Sequence, residues 1–109
     1  MSEIVHGDFV IEGTIQTDRP AEIWKHQLFL GEPNQITMPK GARVLSVAEQ
    51  NDNGYLWEIH DVSQRDELVE RTFEVVGTGH VFDSAPTMYL GTYQTSGNFV
   101  WHAFEVSNG

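Results

Sequence analysis

The segment RVLSVAEQNDNGYLWEIH, residues 43–60, carries the strongest hairpin signal in the chain. Residues 43–49 are rich in β-branched side chains, and residues 55–60 place Tyr55, Trp57 and Ile59 at every second position. The NDNG stretch between them supplies Asn and Gly, which tolerate the positive φ angles of tight hairpin turns. The segment therefore predicts two antiparallel strands joined by a short turn.

Alternation of apolar and polar side chains extends this pattern in both directions along the chain. Further strands are predicted at residues 8–15, 22–30, 68–76, 87–94 and 98–106, and the last two are predicted to form a hairpin across Thr95-Ser96-Gly97. The polar residues 61–67 predict a loop with room for one helical turn. Seven or eight short strands predict an all-β fold, a small antiparallel sandwich or partly open barrel.

Composition limits the function classes that the chain can serve. Its 109 residues suit one domain, which we divide into an extra N-terminal strand segment at 1–22 and a β core at 23–106. The chain has no cysteine, which excludes disulfides and thiolate chemistry. Residues 1–13 have neither the basic region nor the apolar run that is typical of a signal peptide, and no apolar run in the sequence is long enough to span a membrane. We therefore expect a cytoplasmic protein without a membrane partner.

The net charge of −10 argues against direct binding of nucleic acid and leaves a basic partner open.

The stretch from Ser84 to Phe104 contains no Asp, Glu, Lys or Arg but five aromatic residues. Two interpretations are open. The stretch is either a central hairpin buried on both faces, or a charge-poor surface that binds a partner protein or a second copy of the chain. For the second interpretation, the candidate partner-binding residues are Tyr93, Phe99 and His102.

The most suggestive local motif is Gly77-Thr78-Gly79-His80, which directly follows a predicted strand. Its glycines allow backbone N–H groups to turn toward an anion, although a tight turn or bulge explains them as well. Tryptophans 24, 57 and 101 are either core residues or a stacking platform for a base. A small-ligand site, such as one for a nucleotide signal, would combine Gly77, Thr78, Gly79, His80, Tyr89 and Trp101. Its basic group would come from Arg43, Arg65 or Arg71.

Catalytic and metal-binding signatures are absent from the sequence. The five histidines form no HExxH-type pair, no GxSxG element is present, and no carboxylate pair stands out. We therefore expect no catalytic residues, no metal and no cofactor. Hydrogen-bonded or exposed histidines are the default interpretation.

Several segments resemble a family of small uncharacterised proteins that tailed bacteriophages and prophages encode. These segments are IWK at 23–25, MPKGA at 38–42, VLSV at 44–47, LW at 56–57, RTF at 71–73, VGTGH at 76–80, YLGT at 89–92 and FVWHAFE at 99–105. The resemblance covers about four-fifths of the chain, and residues 1–22 are an addition to it.

The resemblance implies a source rather than a mechanism. It suggests an accessory protein in the host cytoplasm that binds and modulates or inhibits a host protein, for instance one of host defence. Two alternatives stay open, a protein that sequesters a nucleotide signal and a small structural protein of the virion. A homodimer is a further option because a charge-poor hairpin suits a symmetric contact.

Overall fold

The computed structural model describes the backbone of residues 5–9 and 15–107, and the side chains of residues 20–107. Its strands are β1 (Val5–Phe9), β2 (Ile15–Leu28), β3 (Asn34–Pro39), β4 (Arg43–Gln50), β5 (Asn53–Asp61), β6 (Leu68–Gly77), β7 (Pro86–Thr95) and β8 (Phe99–Val106). One 3-10 turn, Val62–Gln64, lies in the predicted polar loop. Within these residues, no helix is long and apolar enough to cross a membrane.

The strands form two four-stranded antiparallel sheets. Sheet A has the order β1-β2-β5-β4, and sheet B has the order β3-β6-β8-β7. The predicted all-β antiparallel class is therefore confirmed, and the two sheets form an open sandwich. Only the β1–β2, β4–β5 and β7–β8 pairs join neighbours in sequence, whereas β2–β5, β3–β6 and β6–β8 join distant segments.

The core lies between the sheets because every second side chain of a strand points to the same face. On β3, Asn34, Ile36 and Met38 are buried while Gln35 and Thr37 are exposed. Sheets A and B together contribute the buried cluster Leu28, Ile36, Met38, Ala42, Val47, Leu56, Phe73, Tyr93 and Ala103. Complete burial of a side chain such as Phe73 contributes roughly 1.5–3 kcal/mol.

Both predicted hairpin turns form, and they meet at one end of the sandwich. Asn51 and Asp52 have φ angles of 52° and 67° in the β4–β5 turn, and Asn98 has 64° in the β7–β8 turn. The carboxylate of Asp52 accepts hydrogen bonds of 2.7 Å from both the backbone N–H and the hydroxyl of Ser96. These two bonds lower the pKa of Asp52, and they tie sheet A to sheet B.

The edges of the two sheets also approach each other where β7 packs against β4. A Cβ atom at Gly91 would lie 2.7 Å from a methyl group of Val47, so a larger residue does not fit without movement. Gly91 thus allows the side chain of Val47 to reach the core, where it is 9% exposed. This contact closes one side of the sandwich.

Two sequence predictions are wrong in detail. The two ends of the predicted strand at 8–15 belong to different strands, because Phe9 of β1 pairs antiparallel with Ile15 of β2, and residues 10–14 lie outside the described part. The charge-free stretch is not a central hairpin either, because β7 is the edge of sheet B. Met88 and Tyr89 of β7 are 59% and 57% exposed.

Candidate functional site

A cleft of about 450 Å³ opens at the end of the sandwich where β2 and β6 stop. Its walls are the loop that follows β2, the last residues of β6 with the loop after them, and one aromatic side chain of β8. The lining residues are Leu30, Gly31, Glu32, Pro33, Glu74, Val75, Val76, Gly77, His80, Val81, Phe82, Asp83 and Trp101. The cleft is therefore framed by the predicted Gly77–His80 motif and Trp101.

The turn after β6 places His80 against Trp101. The N–H of His80 donates to the carbonyl of Gly77 at 3.0 Å, and the N–H of Thr78 donates to the carbonyl of Val100 at 3.1 Å. The rings of His80 and Trp101 are edge to face at 6.4 Å. Gly77 permits this packing, since a Cβ atom there would lie 2.9 Å from the His80 ring and 3.1 Å from Trp101.

This geometry does not suit the anion site that the motif suggested. Two of the backbone N–H groups in the turn, those of Thr78 and His80, are already bonded to carbonyls. The cleft lining contains the carboxylates of Glu32, Glu74 and Asp83 but neither Lys nor Arg. A phosphate group would thus meet negative charge and few free donors.

The three arginines proposed as partners for a phosphate lie elsewhere and are engaged. Arg71 forms two hydrogen bonds of 2.7 Å with Glu105 and donates to the carbonyl of Ala42 at 2.6 Å. The hydrogen bond and the charge of Glu105 raise the pKa of Arg71 against the opposing effect of burial. Arg65 lies 3.5 Å from Glu22, and Arg43 also has an interaction partner.

A second, smaller depression of about 280 Å³ adjoins the cleft and shares Gly77, His80 and Trp101 with it. Thr78 and Phe99 line this depression, and Phe99 is 60% exposed. Of the predicted ligand-binding residues, Gly77, Thr78, His80 and Trp101 thus come together, while Gly79 supplies only the turn with its φ of 86°.

The other predicted site residues lie apart from the cleft. Tyr93 faces the core, is 6% exposed and therefore offers no surface to a partner. Its hydroxyl has no hydrogen-bond partner among the described residues, and burial raises its pKa. Tyr89 and His102 lie on the outer face of sheet B, opposite to Trp101, because β8 alternates and Tyr89 pairs with Phe104.

On that outer face, four polar side chains form a continuous hydrogen-bonded chain. Thr78 Oγ1 lies 2.7 Å from His102 Nε2, and His102 Nδ1 lies 3.0 Å from Thr92 Oγ1. Thr92 Oγ1 in turn lies 2.5 Å from the hydroxyl of Tyr89. A β-bulge between Tyr89 and Gly91 turns Tyr89 to the same face as Thr92, although three positions separate them.

Sequence reasoning missed a buried polar cluster inside sheet A. His60 Nδ1 lies 2.7 Å from Glu58 and its Nε2 lies 3.0 Å from Glu22. The second oxygen of Glu58 lies 3.1 Å from His26 Nε2, and the Trp24 ring packs edge to face on His60 at 4.3 Å. The side chains of His60 and Glu58 are fully buried.

The cluster of Glu22, Glu58, His26 and His60 must share protons. A neutral imidazole has one N–H, so His60 can bond to two carboxylates only if the cluster holds an additional proton. Side chains this buried are stable only when they are paired in this way. Its residues do not form a metal site, since residues 20–107 contain no group of three or more metal-binding side chains in suitable positions.

A comparison with protein families matches residues 20–109 to a family described as a domain of unknown function, DUF7352. Neither the curated proteins nor the solved structures include a significant match to the chain. The function must therefore be argued from the site itself.

Proposed function

We propose that this chain, which belongs to the DUF7352 family, is a non-enzymatic binding protein whose acidic cleft docks on a basic site of a partner protein. The observation that carries the proposal is the lining of the cleft, which combines Glu32, Glu74 and Asp83 with apolar residues and contains neither Lys nor Arg. The net charge of −10 supports the same kind of partner at longer range, since it attracts a basic surface.

The chemistry of the cleft suits an arginine or lysine side chain. Such side chains have an apolar stem and a cationic end, and they bury the stem along apolar surface while the end contacts a carboxylate. Val75 and Trp101, which lie on the same face of sheet B, offer the apolar wall, and Trp101 adds an aromatic ring near which a cation is favoured. The hydroxyl of Ser84 donates to Glu74 and helps to fix that carboxylate.

The rim of the cleft adds apolar contacts to the charge. Leu30 and Val81 line the cleft and Phe99 lines the depression beside it, and these side chains are 48%, 83% and 60% exposed. Exposed apolar side chains grouped in this way, with polar residues around them, mark sites of protein contact. We expect Phe99 to contribute the largest single apolar contact.

The proposal that the partner is a host protein rests on the resemblance of the chain to phage-encoded proteins. If the chain acts in an infected cell, its partner is a bacterial host protein in the cytoplasm, and occupation of a basic site would inhibit or modulate that protein. A host protein that uses its basic site for nucleic acid is a suitable target, because an acidic protein competes with phosphate for it.

The test is a comparison of two triple variants in pull-downs from a bacterial lysate. The cleft variant is Glu32→Gln, Glu74→Gln and Asp83→Asn. The control is Asp66→Asn, Glu67→Gln and Glu70→Gln, which removes the same number of charges at the opposite end of β6. Proteins retained by the wild type and the control but lost by the cleft variant would support the proposal. Equal loss in both variants would show that net charge alone attracts the protein.

Salt dependence provides a second test on any captured protein. Attraction between exposed charges weakens as the Debye length falls from about 10 Å at 0.1 M to about 3 Å at 1 M salt. Binding should therefore weaken steeply over this range, and less steeply for the cleft variant. An affinity that does not change with salt would refute charge-driven docking.

A further inference from the structure

The outer face of the β7–β8 hairpin combines three features that restrict what it could bind. The hairpin carries no charged side chain between Ser84 and Phe104, and the nearest carboxylate on this face is that of Glu74, which lies opposite Phe104 on β6. The face also presents aromatic rings that pack on one another, and it holds the hydrogen-bonded chain of Thr78, His102, Thr92 and Tyr89. Each feature restricts the chemistry of a ligand.

The aromatic rings form a continuous apolar strip. The Tyr89 ring packs against Phe104 with centroids 5.5 Å apart, and Phe104 packs against Phe82 at 4.9 Å. Tyr89 is 57% exposed, so one face of its ring is available to a ligand. Flat apolar surface next to polar groups suits a ligand with one apolar face and polar edges.

The hydrogen-bonded chain determines which polar groups fit. With a neutral His102, its four members carry four polar hydrogens, one on the ring and one on each hydroxyl. Three of these hydrogens make the bonds within the chain, so one remains and points outward. The tautomer of His102 decides whether this free donor is on Thr78 or on Tyr89.

One end of the hydrogen-bonded chain is therefore a donor and the other an acceptor, and a change of the His102 tautomer exchanges these two roles. A ligand group that can both donate and accept through the same oxygen bonds to either end, and a hydroxyl group is such a group. A carboxylate or phosphate can only accept, and an ammonium group can only donate. An aromatic strip, reversible hydroxyl contacts and a carboxylate at Glu74 that can accept from a hydroxyl together suit the surface of a sugar.

We infer that the outer face of the β7–β8 hairpin, centred on Tyr89 and His102, is a binding site for a neutral oligosaccharide. A sugar ring stacks its C–H face on Tyr89 and contacts Phe104 with its edge, and its hydroxyl groups bond to the free ends of the hydrogen-bonded chain at Thr78 and Tyr89. Binding at one end fixes the tautomer of His102. The site borders the acidic cleft, whose lining includes Phe82 and Glu74, but it does not depend on the proposed protein partner.

The experiment is an NMR titration of the ¹⁵N-labelled protein with cellohexaose, maltohexaose and hexa-N-acetylchitohexaose. We expect saturable shifts around Tyr89 and Thr92 with at least one of them, and a change in the ring ¹⁵N shifts of His102 as its tautomer is fixed. If the hydrogen-bonded chain had only a structural role, addition of the sugars would leave the His102 signals unchanged.

Single-residue variants test whether the sugar binds at Tyr89. Tyr89→Ala should weaken it about tenfold or more through loss of the ring, and Tyr89→Phe about fivefold through loss of one hydrogen bond. Tyr55→Phe is the matched control on sheet A and should bind as the wild type does. Glu32→Gln, which changes a cleft carboxylate on the loop after β2, should also bind sugar normally, and this separates the inference from the proposed function.

Three results would overturn the inference. One is the absence of saturable shifts for all three sugars at about 10 mM, where even millimolar affinity would be visible. Another is binding that Tyr89→Ala leaves unchanged. The third is a concentration-dependent dimer, detected by light scattering and abolished by Tyr89→Ala, because a second copy would then occupy this face.

Discussion

Replacement of His60 by leucine tests whether the buried cluster depends on its central imidazole. The side chain of His60 is 0% exposed and bonds to Glu58 at 2.7 Å and to Glu22 at 3.0 Å. The His60→Leu variant leaves the carboxylate of Glu58 buried, with the contact to His26 as its remaining hydrogen bond among the described residues. Removal of one member of a buried ion pair costs about 3–5 kcal/mol, of a total stability of about 5–15 kcal/mol. At about 4–8 °C per kcal/mol, the melting temperature should fall by at least about 12 °C.

The assay is urea and thermal unfolding followed by tryptophan fluorescence, since Trp24 touches His60 and reports on the cluster directly. His80→Leu is the control because His80 is exposed, and it should change stability by no more than about 0.5 kcal/mol. The double variant Glu58→Leu and His60→Leu should be more stable than His60→Leu, because it removes the unpaired charge. A loss below about 1 kcal/mol in His60→Leu would refute the reasoning.

Three more predictions concern the core and the turns. Tyr93→Phe removes a buried hydroxyl that has no partner among the described residues, so the unfolding free energy should stay the same or rise by up to about 1 kcal/mol in urea titrations. Gly91→Ala should cost about 1–3 kcal/mol through its clash with Val47, and adding Val47→Ala should cost less than the sum of both single changes in a double-mutant cycle. The bonds from Ser96 depress the pKa of Asp52 below 3.8, so their stabilisation is present above that pH and is lost as the pH falls through the folded-state pKa. Asp52→Asn keeps the positive φ but removes the titration, so the difference in stability between wild type and variant, measured from pH 6 to pH 2, should shrink below about pH 3.8; a constant difference would contradict the assignment.

Local signals explain what the sequence could predict about the fold. Asn51, Asp52 and Asn98 adopt the positive φ angles that their residue types favour, and both hairpins form around them. No local sequence pattern indicates which strands that are distant in sequence pair with each other. Whether a strand is central or at an edge depends on that pairing, and so the composition of β7 left two interpretations open, a buried hairpin and an exposed surface.

The candidate site was predicted in part for the same reason. Gly77, His80 and Trp101 come together because β6 and β8 pair with Gly77 opposite Trp101. The sequence analysis did not predict the negative charge of the cleft, because Glu32 and Asp83 reach it from loops whose positions depend on the whole fold. The buried cluster escaped it too, because Glu22 meets His60 only through the register of β2 on β5.

The order of strands in the two sheets also has a consequence for how the chain folds. The β7–β8 hairpin closes a short loop. By contrast, the paired residues of β2 and β5 are 26 positions apart in the sequence at Leu28↔Gly54 and 40 positions apart at Ala21↔Asp61. Non-local pairing is slow, typically in the range of milliseconds to seconds. During that time an early hairpin would expose Met88, Tyr89 and Phe99 without a single charge to keep chains apart. The acidic residues outside the hairpin then supply the repulsion that disfavours aggregation while the sandwich assembles.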